Sequence, residues 1–380
     1  MGEAPGLGVR SARRLRCYDV VRLAHALTHR GHDVQVLTAG AVRAEDLSGD
    51  LDIVRMHVAD DTLDDPAATM PAIGEMARHL VDHWDDHPPD VVHCHGWSYG
   101  MAAQLAANWH PVPVVQGFDG LSATPGTAPD PAIRLGALLA RNATAVTAAC
   151  VDDVRELIRL GCVRDRIWVL PCGIDIEEFT ADMPAHAGPA RHRVVAVARD
   201  FSPEQGFAHV VRALPALPSA DLILVATEGV DDSDIARLLG LAKGLRVSPR
   251  IRVVVAEETA QLTEFVRSAD VVVCPANYEP SAATVLQAMA CGAAVVGTAT
   301  GGLRDAVISD VTGLLVPPAN IGALSRALRS VLGQSVLRQG MGLAGRARVR
   351  SRYSWDRIAT DAERVYTAVA DRRLSATLPR

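Results

Sequence analysis

At 380 residues the chain has room for two domains of ordinary size, each with its own core. Hydrophobic residues make up 49% and charged residues 22%, the profile of a soluble globular protein. The formal net charge of -6 provides no basic excess to neutralise phosphates, which speaks against a nucleic-acid partner.

The N-terminal stretch MGEAPGLGVRSARRLR carries charge without an apolar h-region, so no secretory signal is expected. Its cluster Arg10, Arg13, Arg14 and Arg16 reads as a solvated tail, or as a contact to an anionic membrane or a lipid-linked acceptor. Residues 1–18 hold no apolar run, so no strand is expected ahead of the first helix, 19–30, which Gly31 stops. Strands at 32–38, 51–57, 89–95, 112–118, 144–150 and 166–172 then alternate with helices at 71–87, 98–109, 131–142 and 151–160. That alternation predicts a parallel sheet with crossover helices. The aperiodic stretch 181–192, rich in Ala, Pro, Gly and His, reads as a linker between a domain at 1–180 and one at 193–353.

In the second half the predicted strands are 193–199, 220–226, 251–256, 269–275, 293–298 and 313–318. The intervening helices are expected at 206–214, 232–243, 259–268, 281–290, 303–308 and 320–332. A last amphipathic stretch, 355–370, follows Ser354, a good N-cap, within the segment 354–380. The fold class is therefore α/β: two doubly wound, Rossmann-like domains facing a cleft at the carboxyl ends of their strands. No GxGxxG follows a first strand, so dinucleotide binding has little support.

The seven cysteines are scattered and include no CxxC pair, so neither a metal site nor a disulfide framework is expected. No apolar run approaches the ~20 residues that span a bilayer. The cytoplasm is the expected compartment, with peripheral attachment at the inner membrane surface as a variant. Lys243 is the sole lysine, so a missing lysine is expected to return as arginine.

The most specific segment is NYEPSAATVLQAMACG at 277–292, followed by AAVVGTATGG at 293–302. It resembles the donor motif of the retaining GT-B glycosyltransferases of family 4 (glycosyl transferases group 1). Further matches are PCGID at 171–175 with Phe179, SPEQG at 202–206, DVTGLLVPP at 310–318 and SWDRIA at 354–359, where the family's final helix starts back to the N-terminal domain. The resemblance covers roughly residues 19–370. It implies transfer of a sugar from a nucleotide-diphosphate sugar, with retention and without a metal. Charge building on the β-phosphate as the sugar bond breaks then calls for fixed positive groups and backbone N–H donors.

Carried over by position, Glu279 matches the glutamate that touches sugar hydroxyls, and Gln287 stands where the family's ribose-binding glutamate lies. SPEQG puts Gln205 in the place of the phosphate-binding lysine and Asp200 in that of the arginine, with Arg199 one residue earlier. Ser202, Gly206, Ser281, Ala282, Ala283 and Thr284 complete the implied donor contacts, Ser281-Ala282 standing where Phe-Gly is usual. Gly117-Phe118-Asp119 replaces a Thr-Phe-His strand end, so Asp119 takes the position of a histidine set against the reacting sugar. Among the histidines, His93 and His95 alternate at one strand end, which predicts that only one turns to the ligand; His95 is the candidate acceptor contact and His93 a buried, hydrogen-bonded residue.

The departures differ in weight. Gln287 still bonds a ribose hydroxyl, a change of about 1 kcal/mol. The lysine and the arginine of the family pattern would each give phosphate a charge-assisted hydrogen bond worth roughly 1.5–3 kcal/mol. The family's opening apolar strand and Gly-Gly loop are also missing, consistent with a misplaced start, a truncation or a decayed gene. The expected activity is glycosyl transfer from a nucleotide sugar to a small-molecule or lipid-linked acceptor by a monomer or homodimer. A non-catalytic relative that binds a partner, and a GT-B-fold epimerase or hydrolase acting on a nucleotide sugar, are the alternatives.

Overall fold

The computed structural model describes residues 10–39, 51–56, 66–118, 120, 131–179, 191–229, 231–256 and 258–377. The chain divides into two compact units, Ala12–Gly173 with Trp355–Arg380 and Ile174–Ser354. The second unit begins ahead of the stretch read as linker, because Ile174 N–H donates to Tyr353 O (2.7 Å). Residues 181–190 of that stretch lie outside the described residues.

The first unit runs α1 (Arg10–His29), β1 (Gln35–Thr38), β2 (Asp52–Arg55), α2 (Pro66–Asp86), β3 (Val92–His95), α3 (Trp97–Ala106), β4 (Val114–Phe118), α4 (Pro131–Asn142), β5 (Ala145–Ala148), α5 (Val151–Arg159) and β6 (Ile167–Val169). Helix α1 starts well ahead of the expected 19–30, since the Arg-, Ala- and Leu-rich residues before Asp19 are good helix formers. It ends where expected: Gly31 takes φ +94° and its N–H bonds Thr28 O at 2.9 Å.

All strand pairs here are parallel, but they do not make one array. β1 pairs with β2, while β3, β4, β5 and β6 form a separate sheet, and among the described residues no strand joins β1 to β3. Packing holds the two pieces together. Leu37 and Ala39, at the end of β1, and Met56 share a core with Met76, Leu80 and Trp84 of α2 and with Val92, Cys94 and Trp97. His83 of α2 bonds Gln35 of β1 (2.8 Å), and Ala39 N–H donates to Tyr99 of α3 (3.2 Å).

The second unit runs β7 (His192–Ala198), α6 (Phe207–Ala213), β8 (Ala220–Ala226), α7 (Asp232–Gly244), β9 (Ile251–Val255), α8 (Thr259–Arg267), β10 (Val271–Cys274), α9 (Ala283–Ala290), β11 (Val295–Thr298), α10 (Gly301–Ala306), β12 (Leu314–Val316), α11 (Ile321–Gly333) and α12 (Ser335–Arg352). Its six parallel strands are ordered β9-β8-β7-β10-β11-β12. This is the doubly wound order, with the first strand in the middle and a switch of direction between β7 and β10. Alternate residues of the strands serve opposite faces. Val194, Ala196, Leu222 and Leu224 enter one large core, while Val195, Val197, Ile223 and Val225 are buried on the other side.

Helix α12 is absent from the predicted elements. Its glycines lower helix propensity by about 1 kcal/mol each, yet one of them is required by packing and another is closely packed. A Cβ at Gly342 would stand 2.0 Å from Gly292 O, and one at Gly345 would stand 3.3 Å from Met289. Tertiary contact with the end of α9 therefore overrides local preference.

After Ser354 the last helix, α13 (Trp355–Thr377), returns to the first unit. Ile358, Ala359 and Ala362 pack on Leu23 and Leu27 of α1, and Val365 and Val369 on Val115 and Ala145 of the sheet. Arg30 reinforces that seat with a two-pronged pair to Glu363 (2.7 and 2.9 Å) and a bond to Asp356 (2.8 Å). Among the described residues no helix is long and apolar enough to cross a membrane.

Candidate functional site

In the second unit, loops gather at the carboxyl ends of β7, β8 and β10, around the switch in strand order where open α/β sheets bind ligands. The loop after β7 is drawn tight by its own side chains. Asp200 accepts from Ser202 N–H (2.9 Å), and Gln205, 5% exposed, turns its Oε1 inward to accept from Arg199 N–H (3.3 Å). The residue in the place of the phosphate-binding lysine is thus a structural brace. Gly206, at φ +73°, brings the loop against the one after β10: a Cβ there would stand 2.0 Å from Pro275 O. Asn277 N–H bonds Glu204 O (2.9 Å) and completes the join.

Glu279 sits in the loop after β10. Its backbone oxygen accepts from Gly302 N–H (2.9 Å), and a Cβ on Gly301 would stand 2.1 Å from that same oxygen. Only a glycine pair lets the two loops approach so closely. Burial of its carboxyl pushes Glu279 up to about 7, with Glu228 and Asp200 adding to the rise and Arg199 and the Ser281 N–H opposing it.

Arg199 is the cation of this cluster. Its Nε lies 3.2 Å from Asp200 and 3.8 Å from Glu228. Glu228, at the end of β8, was not among the sequence candidates. Its side chain is 8% exposed and neither carboxylate oxygen accepts a hydrogen bond. The one signal in the sequence is its place, just past the strand ADLILVA and next to Gly229.

Helix α9 presents a single open face. Val285, Leu286, Ala288, Met289 and Ala290 are buried, whereas Ala283, Thr284 and Gln287 are half-buried, and their spacing of three and four puts them on one side. Just ahead of the helix, Ser281 Oγ accepts from Ala283 N–H (3.2 Å). Ala282, expected as a donor contact, is turned inward at 5% exposure, close to Gly302.

The first unit carries the acceptor-side candidates. Asp119 lies outside the described residues. The expectation that only one of His93 and His95 faces the ligand side is corrected: residues two apart on a strand share a face, and the two rings lie 4.4 Å apart. Gly117 on the neighbouring strand makes room, since a Cβ there would stand 3.2 and 3.3 Å from the two imidazoles. His93 is clamped between Tyr366 (2.8 Å) and Thr147 (3.0 Å), and burial, with His95 beside it, holds it neutral, well below the usual imidazole range. His95 is half-buried at the strand end. Gln116, fully buried and also unforeseen, donates to the carbonyls of Gly96 (3.2 Å) and Gly117 (3.1 Å) and so pins the turn that carries His95.

The fold is that of the GT-B glycosyltransferases. Sucrose-phosphate synthase from Thermosynechococcus elongatus superposes with a TM-score of 0.80 at 22% identity, covering 96% of this chain and 94% of that one. The Anabaena protein HepE in complex with UDP and glucose gives a TM-score of 0.73 at 16% identity, covering 92% and 95%.

Sequence carries the assignment further. Residues 18–173 match the glycosyl transferase 4-like domain and residues 178–348 match glycosyl transferases group 1. A D-inositol 3-phosphate glycosyltransferase of Kineococcus radiotolerans is 31% identical, covering 98% of this chain and 92% of that protein. The chain belongs to the group 1 glycosyltransferase family.

Proposed function

We propose that the chain moves a sugar from a nucleotide-diphosphate sugar to a small-molecule or lipid-linked acceptor with retention, the donor lying at the switch point of the second unit. The observation that carries this reading is Glu279 itself, in the loop just ahead of α9, with its backbone held by the Gly301-Gly302 turn and its carboxyl pushed up by burial. In this role Glu279 holds hydroxyls of the sugar and Gln287 those of the ribose. The first backbone N–H groups of α9 face the β-phosphate. The bond between the sugar and the β-phosphate oxygen breaks, the electron pair leaves with the diphosphate, and the acceptor hydroxyl bonds to the same sugar carbon while passing its proton to the departing diphosphate oxygen.

Calorimetric titration with UDP, GDP and ADP tests the donor site, and turnover by Glu279→Ala tests the residue. Micromolar binding of one nucleotide is expected, with turnover lost in the variant; unchanged turnover removes Glu279 from the mechanism. A second reading, a non-catalytic relative, is favoured by one feature: Arg199 is already engaged by two carboxylates and Gln205 faces inward. It predicts no nucleotide binding by the folded protein and a partner that co-purifies with it.

A further inference from the structure

We propose that Tyr366, on the last helix, is a positioning residue for His95: it locks the imidazole of His93, and the ring of His95 rests against that imidazole. The proposal rests on the transferase reading above, with His95 as the contact to the acceptor.

Both histidines project from one face of β3, with ring centroids 4.4 Å apart and planes tilted by 39°. A Cβ at Gly117 of β4 would stand 3.2 Å from His93 Nε2 and 3.3 Å from His95 Nδ1, so the pair fills the space that the glycine leaves. In such close packing the pose of one ring limits the poses open to the other.

His93 is fixed at both ends. Its Nδ1 lies 2.8 Å from Tyr366 Oη and its Nε2 3.0 Å from Thr147 Oγ1. A neutral imidazole offers one N–H and one lone pair, and a hydroxyl can answer either. One hydroxyl therefore donates to the ring and the other accepts from it, and turning the ring would break both bonds. Thr147, 4% exposed, is set in the middle of β5. Tyr366 stands edge-on to His93 at 5.7 Å and packs against two cores, that of Leu23, Leu27 and Ile358 and that of Val115 and Val369.

The ladder between β3 and β4 ends at the pair His95 and Gly117, and the backbone then turns at Gly96 with φ +88°. Gln116 holds the backbone of that turn. The support of the His95 ring comes instead from His93, and through it from a hydroxyl 273 residues further along the chain. Seating of α13 and the pose of His95 are thus one property.

The test uses the full chain, with histidine labelled by ¹⁵N, in the wild type, Tyr366→Phe and Ile358→Ala. Tyr366→Phe keeps the packed ring and removes one hydroxyl, so it is expected to fold; Ile358→Ala loosens the same helix about two turns away. Long-range ¹H–¹⁵N spectra of the imidazoles are expected to show a changed tautomer of His93 in Tyr366→Phe, with the His95 signals displaced or broadened, and neither change in Ile358→Ala. Affinity for UDP, GDP and ADP should stay within about twofold of the wild type, while nucleotide release from the matching nucleotide-glucose falls by about tenfold or more in Tyr366→Phe alone. His95 signals that stay in place, or that move equally in Ile358→Ala, overturn the proposal, as does an equal loss of turnover in both variants. No nucleotide release by the wild type overturns the transferase reading alone, since the spectra still decide what seats His95.

Discussion

In the second unit β7 lies in the middle of six parallel strands, hydrogen-bonded to β8 on one side and β10 on the other. In the first unit β1 and β3 end two separate sheets, and side-chain packing from α2 and α3 spans the interval between them. The doubly wound plan puts the switch of strand order beside the first strand. In one unit that place is a closed backbone ladder whose loops carry Arg199 and Glu279; in the other, among the described residues, no strand joins the two sheets. The difference separates two ways of fixing a site. Where loops press backbone on backbone, as Gly206 does on Pro275, few changes are tolerated, whereas the turn at Gly96 hangs on one side chain, that of Gln116.

The largest expected effect tests that contrast directly. Gly206→Ala forces a Cβ to 2.0 Å from Pro275 O at φ +73°, and a drop of about 3 kcal/mol or more in denaturant unfolding is expected. Gly96→Ala, at φ +88° with no atom within 4 Å of the added Cβ, is expected to cost about 1–2 kcal/mol. Equal costs would erase the distinction between the units. Hydrogen exchange sharpens it: amides of β7 and β8 should exchange only on global unfolding, and those of β1 and β2 through a local opening about 2 kcal/mol less costly. Uniform protection across both sheets would show that packing serves as well as the missing ladder.

The two units should also respond to pH with opposite sign. Glu279 has a folded pKa of about 7 against an ordinary 4.5, so the native state binds more protons in that window and stability falls as pH rises from 4.5 to 7. Glu279→Gln should flatten this limb, by on the order of 2 kcal/mol. Glu363 is held down to about 2 by its bonds to Arg30, so its contribution is present above pH 4.5 and is lost as pH falls towards 2. Glu363→Gln should remove that acid limb, a smaller effect of about 1 kcal/mol at a partly exposed pair. Unfolding curves of the two variants across pH 2–8 check both signs.

Much of this was legible in the sequence. Every strand among the described residues was foreseen, because β-branched runs between breakers are strong signals, although flanking residues proved to be loop. The glycine pair at 301–302 and Glu279 were found by motif, and they do meet. What escaped depended on three dimensions. Glu228 lies far in sequence from Arg199, and nothing in its neighbours announces a buried charge. Gln205 aligns with a phosphate-binding position and also reads as a turn residue, but the acceptor it offers Arg199 N–H is visible only once the loop is folded. The histidine pair failed for a simpler reason, a misapplied strand period.

Helix α12 has a practical side. Replacing helix glycines by alanine is a common route to greater heat resistance, and this helix offers three targets within one short stretch. Gly340 has open space where its Cβ would go, so it suits the exchange; Gly342 is pressed on the carbonyl of Gly292 and does not. A designer guided by helix propensity alone would treat the two alike, and would forfeit at the second position what the first had gained.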